Sequence, residues 1–349
     1  MTHKFKIIER IRKPSPSPSS SLRLHRAEFG DNVKKKYDRD SYYPDTNYLI
    51  NELSKFYKIS NKNITVGLGA EGIIKDIFLT IFLKNKRIRL LTFSPNFFMY
   101  NYYSRLFNFK FFSLEILKKK DSLVGVKDII NSIKKNKINF LVLVNPSSPI
   151  QRKWTKLELI EILDYCSKRN ILVLIDEVYK LNQKDRSEKL IKKYKNLIFL
   201  NSFSKSYGLP GIRLGFCFSN KEFTKELNTC RMAIELPANT INKSIIILKN
   251  FKKKIEPKVI KIIQSRKFAL KEFKKIGIKT MNSDINSVNF FCDSKKQKDR
   301  LIKIFLKNKI YVNSVNSKYF KNIVNITTTN INNLKKFFLI IKKFKFNVK

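Results

Sequence analysis

Lys205 stands in the run Asn201-Ser-Phe-Ser-Lys-Ser-Tyr-Gly-Leu-Pro-Gly-Ile-Arg213, with hydroxyls at Ser202 and Ser204 ahead of it and a guanidinium eight residues behind it. A buried lysine with a lowered pKa can form a Schiff base with an aldehyde, and hydroxyls together with a guanidinium can hold a dianionic phosphate. In a chain this rich in lysine a lone Lys reads as surface charge; the whole Ser-x-Ser-Lys-x7-Arg arrangement points to chemistry. Three further polar sets have the same placement. Leu172-Val-Leu-Ile-Asp-Glu-Val-Tyr179 ends an apolar run in two carboxylates and an aromatic hydroxyl, and Asn145-Pro-Ser-Ser-Pro149 follows the run Phe140 to Val144. Gly67-Leu-Gly-Ala-Glu-Gly72 precedes a helical pattern. The open backbone amides of Ala70 and Glu71 at such a helix start, together with the helix dipole, suit a phosphate.

The elements that must position these groups alternate. Arg87 to Phe93, Phe140 to Val144, Ile171 to Ile175, Leu197 to Leu200 and Leu214 to Phe218 read as strands, and Lys156 to Lys168 and Ala70 to Phe82 as helices. Strands separated by helices imply an α/β fold with a largely parallel sheet and ligands near the carboxyl ends of its strands. After about residue 236 the pattern shifts to one long basic helical stretch, Ile241 to Ile276, then to short runs such as Val288 to Cys292 and Ile323 to Thr327. The expected division is an N-terminal arm over residues 1–42, a large unit over 43–236 and a smaller α+β unit over 237–349. Pro14 to Ser21 reads PSPSPSSS, which buries no apolar surface and suits an extended lead-in.

Taken together, these motifs resemble the fold type I pyridoxal-phosphate aminotransferases, class I and II, and within them the histidinol-phosphate aminotransferase branch. The resemblance runs from about Leu22 to the mid-three-twenties. It implies an aspartate-aminotransferase-like fold and pyridoxal 5'-phosphate (PLP) as cofactor, with Lys205 as the internal aldimine lysine and Ser202, Ser204 and Arg213 on the phosphate. It further implies that Asp176 keeps the pyridine nitrogen protonated, so that the ring acts as an electron sink, and that Tyr179 and Asn145 hydrogen-bond the ring's phenolic oxygen. Gly69, Ala70 and Glu71 match the family's turn at the phosphate. In Ser94-Pro-Asn-Phe-Phe-Met-Tyr100 the position that stacks on the ring is Phe97. Tyr42-Tyr-Pro-Asp45 matches a segment whose tyrosine, here Tyr43, reaches the phosphate of a neighbouring subunit, which implies a homodimer. Amino-acid-specific members carry an arginine near the C-terminus that grips the α-carboxylate through a fork of hydrogen bonds. The matching place in Val324-Asn-Ile-Thr-Thr-Thr329 is Asn325, which supplies neither charge nor fork; Arg23, Arg26 and Arg231 are the candidates to replace it.

The activity implied is amino transfer between a small-molecule amino donor and a carbonyl acceptor, either of which could carry phosphate. The cofactor residues do not separate this from decarboxylation of an amino-acid phosphate, because the bond broken depends on how the substrate is oriented. A non-catalytic basic binding protein is the reading from another class. The 73 Lys and Arg against 27 Asp and Glu, a net charge of +46, are scattered along the chain. Nucleic-acid binding needs charge gathered on one face, so a solvated surface is the better reading. Four separated cysteines and two histidines leave little material for a disulfide framework, a metal site or a His-centred triad. No run reaches the ~18 apolar residues of a membrane span and the N-terminus has no apolar signal core, so a cytoplasmic enzyme is expected.

Overall fold

The computed structural model describes residues 43–119, 122–181, 187–281, 284–315 and 321–344. The PSPSPSSS segment, Tyr42, Arg23 and Arg26 lie outside the described residues.

The first half of the chain runs α1 (Asn47–Tyr57), β1 (Ile64–Leu68), α2 (Gly69–Lys84), β2 (Arg89–Ser94), α3 (Met99–Leu106), β3 (Lys110–Glu115), the short pair β4 (Leu117–Lys119) and β5 (Ser122–Leu123), α4 (Val126–Asn136), β6 (Phe140–Val144), α5 (Lys156–Ser167), β7 (Leu172–Asp176), β8 (Leu197–Ser202) and β9 (Leu214–Phe218). Seven of these strands form one sheet in the order β1-β9-β8-β7-β6-β2-β3. Every neighbouring pair from β8 through to β3 is parallel, and β9 alone runs against both of its neighbours. The sheet is mainly parallel, as the alternation of strands and helices requires.

Both faces of this sheet are covered, which is the condition for parallel strands. Alternate residues supply two cores. Leu141, Leu143, Val173 and Ile175 pack on one side with α1, α4 and α5, while Phe140, Val142, Val144 and Leu174 pack on the other with α2 and α3. The period of two explains why the central strands read as unbroken apolar runs: every residue of β6 is buried. Helix α5 begins with a capping box, in which Thr155 and Glu158 satisfy each other's backbone amides.

From β2 the chain passes to β3 at one side, then returns to β6 at the other side of β2. The loops after β2 and β6 therefore leave in opposite directions and open a crevice at the carboxyl ends of the strands.

The second half contains α6 (Lys221–Cys230), α7 (Ala238–Lys249), α8 (Phe251–Lys254), α9 (Glu256–Lys275), β10 (Thr280–Met281), β11 (Ser287–Phe291), α10 (Lys295–Lys307), β12 (Asn313–Val315), β13 (Ile323–Thr327) and α11 (Ile331–Lys343). Its four strands form an antiparallel sheet in the order β10-β11-β13-β12. Phe273, Phe290, Phe305 and Phe337 fill the space between that sheet and its helices. The single helical stretch expected over Ile241 to Ile276 is three helices. It breaks at Asn250 and again at Ile255, ahead of Pro257, which sits in the first turn of α9 where its missing N–H forfeits no helical bond. The break lets α7 bury Ile241, Ile245 and Leu248 against the core that holds Tyr57 and Phe216.

Candidate active site

Ala70, Glu71, Phe97, Asp176, Tyr179, Ser202, Ser204, Lys205 and Arg213 border a single cavity of about 390 Å³. These residues come from the N-terminus of α2, the loop after β2 and the carboxyl ends of β7 and β8. The fold thus gathers residues more than a hundred positions apart in sequence.

The anion-binding end is built from backbone. Gly69 takes φ +69°, a region open to glycine, and its amide donates to the carbonyl of Arg213 at 2.9 Å. Arg213 is itself left-handed, with φ 56°. This pairing lays the Arg213 guanidinium over the start of α2: a Cβ on Gly69 would lie 2.8 Å from a guanidinium nitrogen. No side chain caps α2, and Arg213 makes no ion pair among the described residues. An uncapped helix N-terminus, a guanidinium without a carboxylate partner and a cradle that only glycine leaves open together fit a phosphate.

Ser202 is fully buried and its hydroxyl donates to the carbonyl of Leu214 at 2.9 Å, while accepting the amide of Ser204 at 3.0 Å. It shapes the turn that carries Ser204 and Lys205. Gly215 lies beneath the same cup. A Cβ there would stand 2.1 Å from the backbone carbon and oxygen of Gly69 and 2.6 Å from the amide nitrogen of Ala70. Gly215→Ala is expected to destabilise the fold by about 1–3 kcal/mol and to weaken phosphate binding; urea unfolding and a titration with PLP check the two effects separately.

At the opposite end, Asp176 closes β7. Its Oδ1 accepts the amide of Val178 at 2.9 Å and its Oδ2 accepts the hydroxyl of Tyr100 at 2.7 Å. Burial pushes the Asp176 carboxyl up, and these two donors pull it back. Tyr179 is raised above the ordinary phenol range by burial, against a hydrogen bond with Ser148. Asn145 is buried just outside the lining; its Oδ1 accepts the amide of Trp154 at 2.9 Å, which leaves the amide nitrogen as its donating end. Glu71 accepts the hydroxyl of Tyr103 at 3.4 Å, and Tyr103 is pushed up to about 12 by burial and by that carboxylate.

Two expectations change with the fold, the burial of Lys205 and the availability of Arg231. Lys205 is exposed rather than buried: it sits in the turn beyond β8, on the open side of the cavity, with Nζ 5.9 Å from the centre of the Tyr179 ring. Phe97 stands at the mouth and is 39% exposed, with its ring at right angles to that of Tyr100. Tyr43 is 48% exposed and does not border the cavity. Arg231 is committed elsewhere. Its guanidinium pairs with Glu235 at 2.5 Å and lies 3.6 Å from Asp76, in a buried cluster beneath α2. Glu235 also accepts the amide of Leu68 at 3.0 Å, bracing the turn that opens α2; nothing near Glu235 in sequence signals this.

Asn325, buried on β13, donates to Ser287 Oγ at 3.1 Å and to Asn289 Oδ1 at 2.6 Å, and Gln151 donates to the carbonyl of Ser287 at 2.9 Å. A neutral amide cluster therefore joins the loop after β6 to the second sheet. Asn325 also borders a separate cavity of about 590 Å³, larger than the first but without any of the lysine-motif residues. The lysine motif borders the smaller cavity.

Comparisons with known proteins identify the family and the fold. A family model for aminotransferase class I and II matches residues 34–338. A histidinol-phosphate aminotransferase of Clostridium novyi is 30% identical over 288 residues, 81% of this chain and 77% of that protein. Among solved structures, histidinol-phosphate aminotransferase from Sinorhizobium meliloti in complex with pyridoxal-5'-phosphate superposes with a TM-score of 0.76 at 17% identity, over 87% of this chain and 83% of that one. The aspartate aminotransferase of Thermus thermophilus with maleate gives 0.72 at 15% identity, over 85% and 81%. The fold is aspartate-aminotransferase-like, and the chain belongs to the aminotransferase class I and II family.

Proposed function

We propose that the protein is a PLP-dependent aminotransferase whose substrates include a phosphorylated amine of the histidinol phosphate kind. The observation that carries this is the convergence of Lys205, Asp176, Tyr179 and Arg213 on one cavity in a chain of this family. Arg213, Ser204 and the amides of Ala70 and Glu71 would hold the cofactor phosphate, with Gly69 and Ser202 shaping that cup. Asp176 would face the ring nitrogen, Tyr179 and Asn145 the phenolic oxygen, and Phe97 the ring. Bound there, the cofactor supplies an electron sink for the pair released when a bond at the amine-bearing carbon breaks. Lys205 would hold the cofactor through Nζ and would carry a proton to and from that carbon, being the only amine bordering the cavity among the described residues.

The neutral cluster around Asn325 favours a substrate that carries its anionic group elsewhere than on an α-carboxylate bound at β13. Tyr43 would reach the site of a second copy in a homodimer, and a cytoplasmic location fits a chain in which no described helix is long and apolar enough to cross a membrane.

The test is an absorbance titration of the PLP-loaded protein with glutamate, histidinol phosphate and small phosphorylated amines. The expected result is a visible band bleached by at least one phosphorylated amine. Response to unphosphorylated amines alone overturns the substrate class, and release of carbon dioxide would reassign the reaction as decarboxylation.

A further inference from the structure

Tyr100 is fully buried on the first turn of α3, and no motif marked it as part of the site. Its hydroxyl donates to Asp176 Oδ2 at 2.7 Å. Its ring lies against Phe78, with centroids 6.4 Å apart, and packs at right angles to the Phe97 ring, with centroids 6.1 Å apart and an interplanar angle of 89°. Its carbonyl accepts the Ser104 hydroxyl at 2.7 Å, which ties the turn to the rest of the helix. One side chain therefore touches both the carboxylate at the closed end of the cavity and the aromatic ring at its mouth.

The chemistry of that contact is specific. Asp176 is 5% exposed and makes no ion pair among the described residues. A carboxylate so buried takes up a proton unless donors stabilise its charge. The charged and titratable groups around it are Tyr100 from α3, Tyr179 from its own loop and, across the cavity, Lys205, Arg213 and Glu71. An ammonium or guanidinium in the place of Tyr100 would hold the charge but also neutralise it. A hydroxyl holds the carboxylate and leaves its negative charge for whatever enters the cavity. Tyr100 does not ionise in competition, since burial and the Asp176 charge both hold its proton on.

We propose that Tyr100 is a positioning residue for the reaction: its hydroxyl keeps Asp176 ionised and aimed at the ring nitrogen of the cofactor. This rests on the proposed function, in which Asp176 meets that nitrogen. The experiment compares wild type with Tyr100→Phe, which keeps the ring and its packing. PLP affinity is measured beside the affinity for an analogue with carbon in place of the ring nitrogen, and the visible spectrum of the PLP form is followed against pH.

The expected result is a loss of about tenfold in PLP affinity for Tyr100→Phe, the scale of one hydrogen bond to a charged group, with no change for the carbon analogue. The spectral transition is expected to move in the variant. Equal weakening for both ligands would mean that Tyr100 only packs, and an unchanged PLP affinity and pH profile would likewise overturn the proposal. In an Asp176→Asn background, Tyr100→Phe is expected to add no further loss; an additive loss overturns it, and this second comparison holds even where one variant folds less well. Failure of wild type to bind PLP would overturn the function itself and this inference with it.

Discussion

Lys205→Ala is expected to abolish the visible absorbance of the PLP form and to lower turnover by about 10³-fold or more, the scale of losing a nucleophilic amine that is also the acid-base group. Stability is expected to stay within about 0.5 kcal/mol of wild type. The separation follows from the structure. Lys205 is exposed in the turn beyond β8, and among the described residues its side chain makes only the 5.9 Å approach of Nζ to the Tyr179 ring. Its removal therefore takes away chemistry and almost no packing. Single-turnover rates, the absorbance spectrum and a urea unfolding curve measure the three quantities. A variant that keeps both the band and the rate would remove Lys205 from the mechanism, while one that merely unfolds would show that the turn depends on it.

The largest expected effect on stability lies one residue from Asp176. Glu177 and Lys180 form a buried pair, with side chains 4% and 9% exposed and Nζ 2.9 Å from Oε2. Ser187 completes it by donating to Glu177 Oε1 at 2.8 Å. Burial pushes Glu177 up to about 7 from its ordinary 4.5, even with Lys180 and Ser187 pulling the other way. Lys180→Met leaves a buried carboxylate without its cation, a change that costs about 3–5 kcal/mol when the charge persists.

The dependence on pH has a definite sign. A carboxyl whose folded pKa lies above its unfolded value contributes most below the unfolded value, and that contribution is lost as pH rises through the folded one. In wild type the window runs from about 4.5 to about 7. The variant should extend the loss to higher pH, since the ammonium that helps ionise Glu177 is gone. Lys180→Met is therefore expected to be strongly destabilised at pH 8 and much less so at pH 5, where Glu177 is protonated and still bonded to Ser187. Urea unfolding at the two pH values checks this, and equal losses at both would remove the buried carboxylate as the cause.

Much of the framework was legible because it is local. β6, β9 and β13 have the bounds expected from the sequence; β6 and β9 are buried at every residue, and such strands leave no polar interruption to misread. α5 ends one residue before its expected end, Lys168, and the Thr155–Glu158 box marks its start. The polar motifs were legible for a related reason: a lysine, a carboxylate or a glycine turn at the end of an apolar run has few packing roles to play there. The three helices of residues 238–275 were harder, because lysine, isoleucine and asparagine continue across Asn250 and Ile255 with the same helical spacing.

What a residue's type and near neighbours decide is which element it joins and what chemistry it could carry, and in that sense Lys205, Asp176, Asn145, Arg213 and the Gly69 turn were present in the sequence itself. Which partner each of them meets was settled by the tertiary structure. Among Phe97, Phe98 and Tyr100 nothing local says that Tyr100 turns inward to a carboxylate 76 residues away, or that Phe98 stays 71% exposed. Arg231 looked available until the fold brought Glu235 and Asp76 to it, and Asn325 has a defined role only beside Ser287 and Asn289 on the neighbouring strand. The reason is physical: turn chemistry and side-chain period act over a few residues, whereas these contacts depend on the strand order β1-β9-β8-β7-β6-β2-β3, which is set by how whole elements bury their faces against one another.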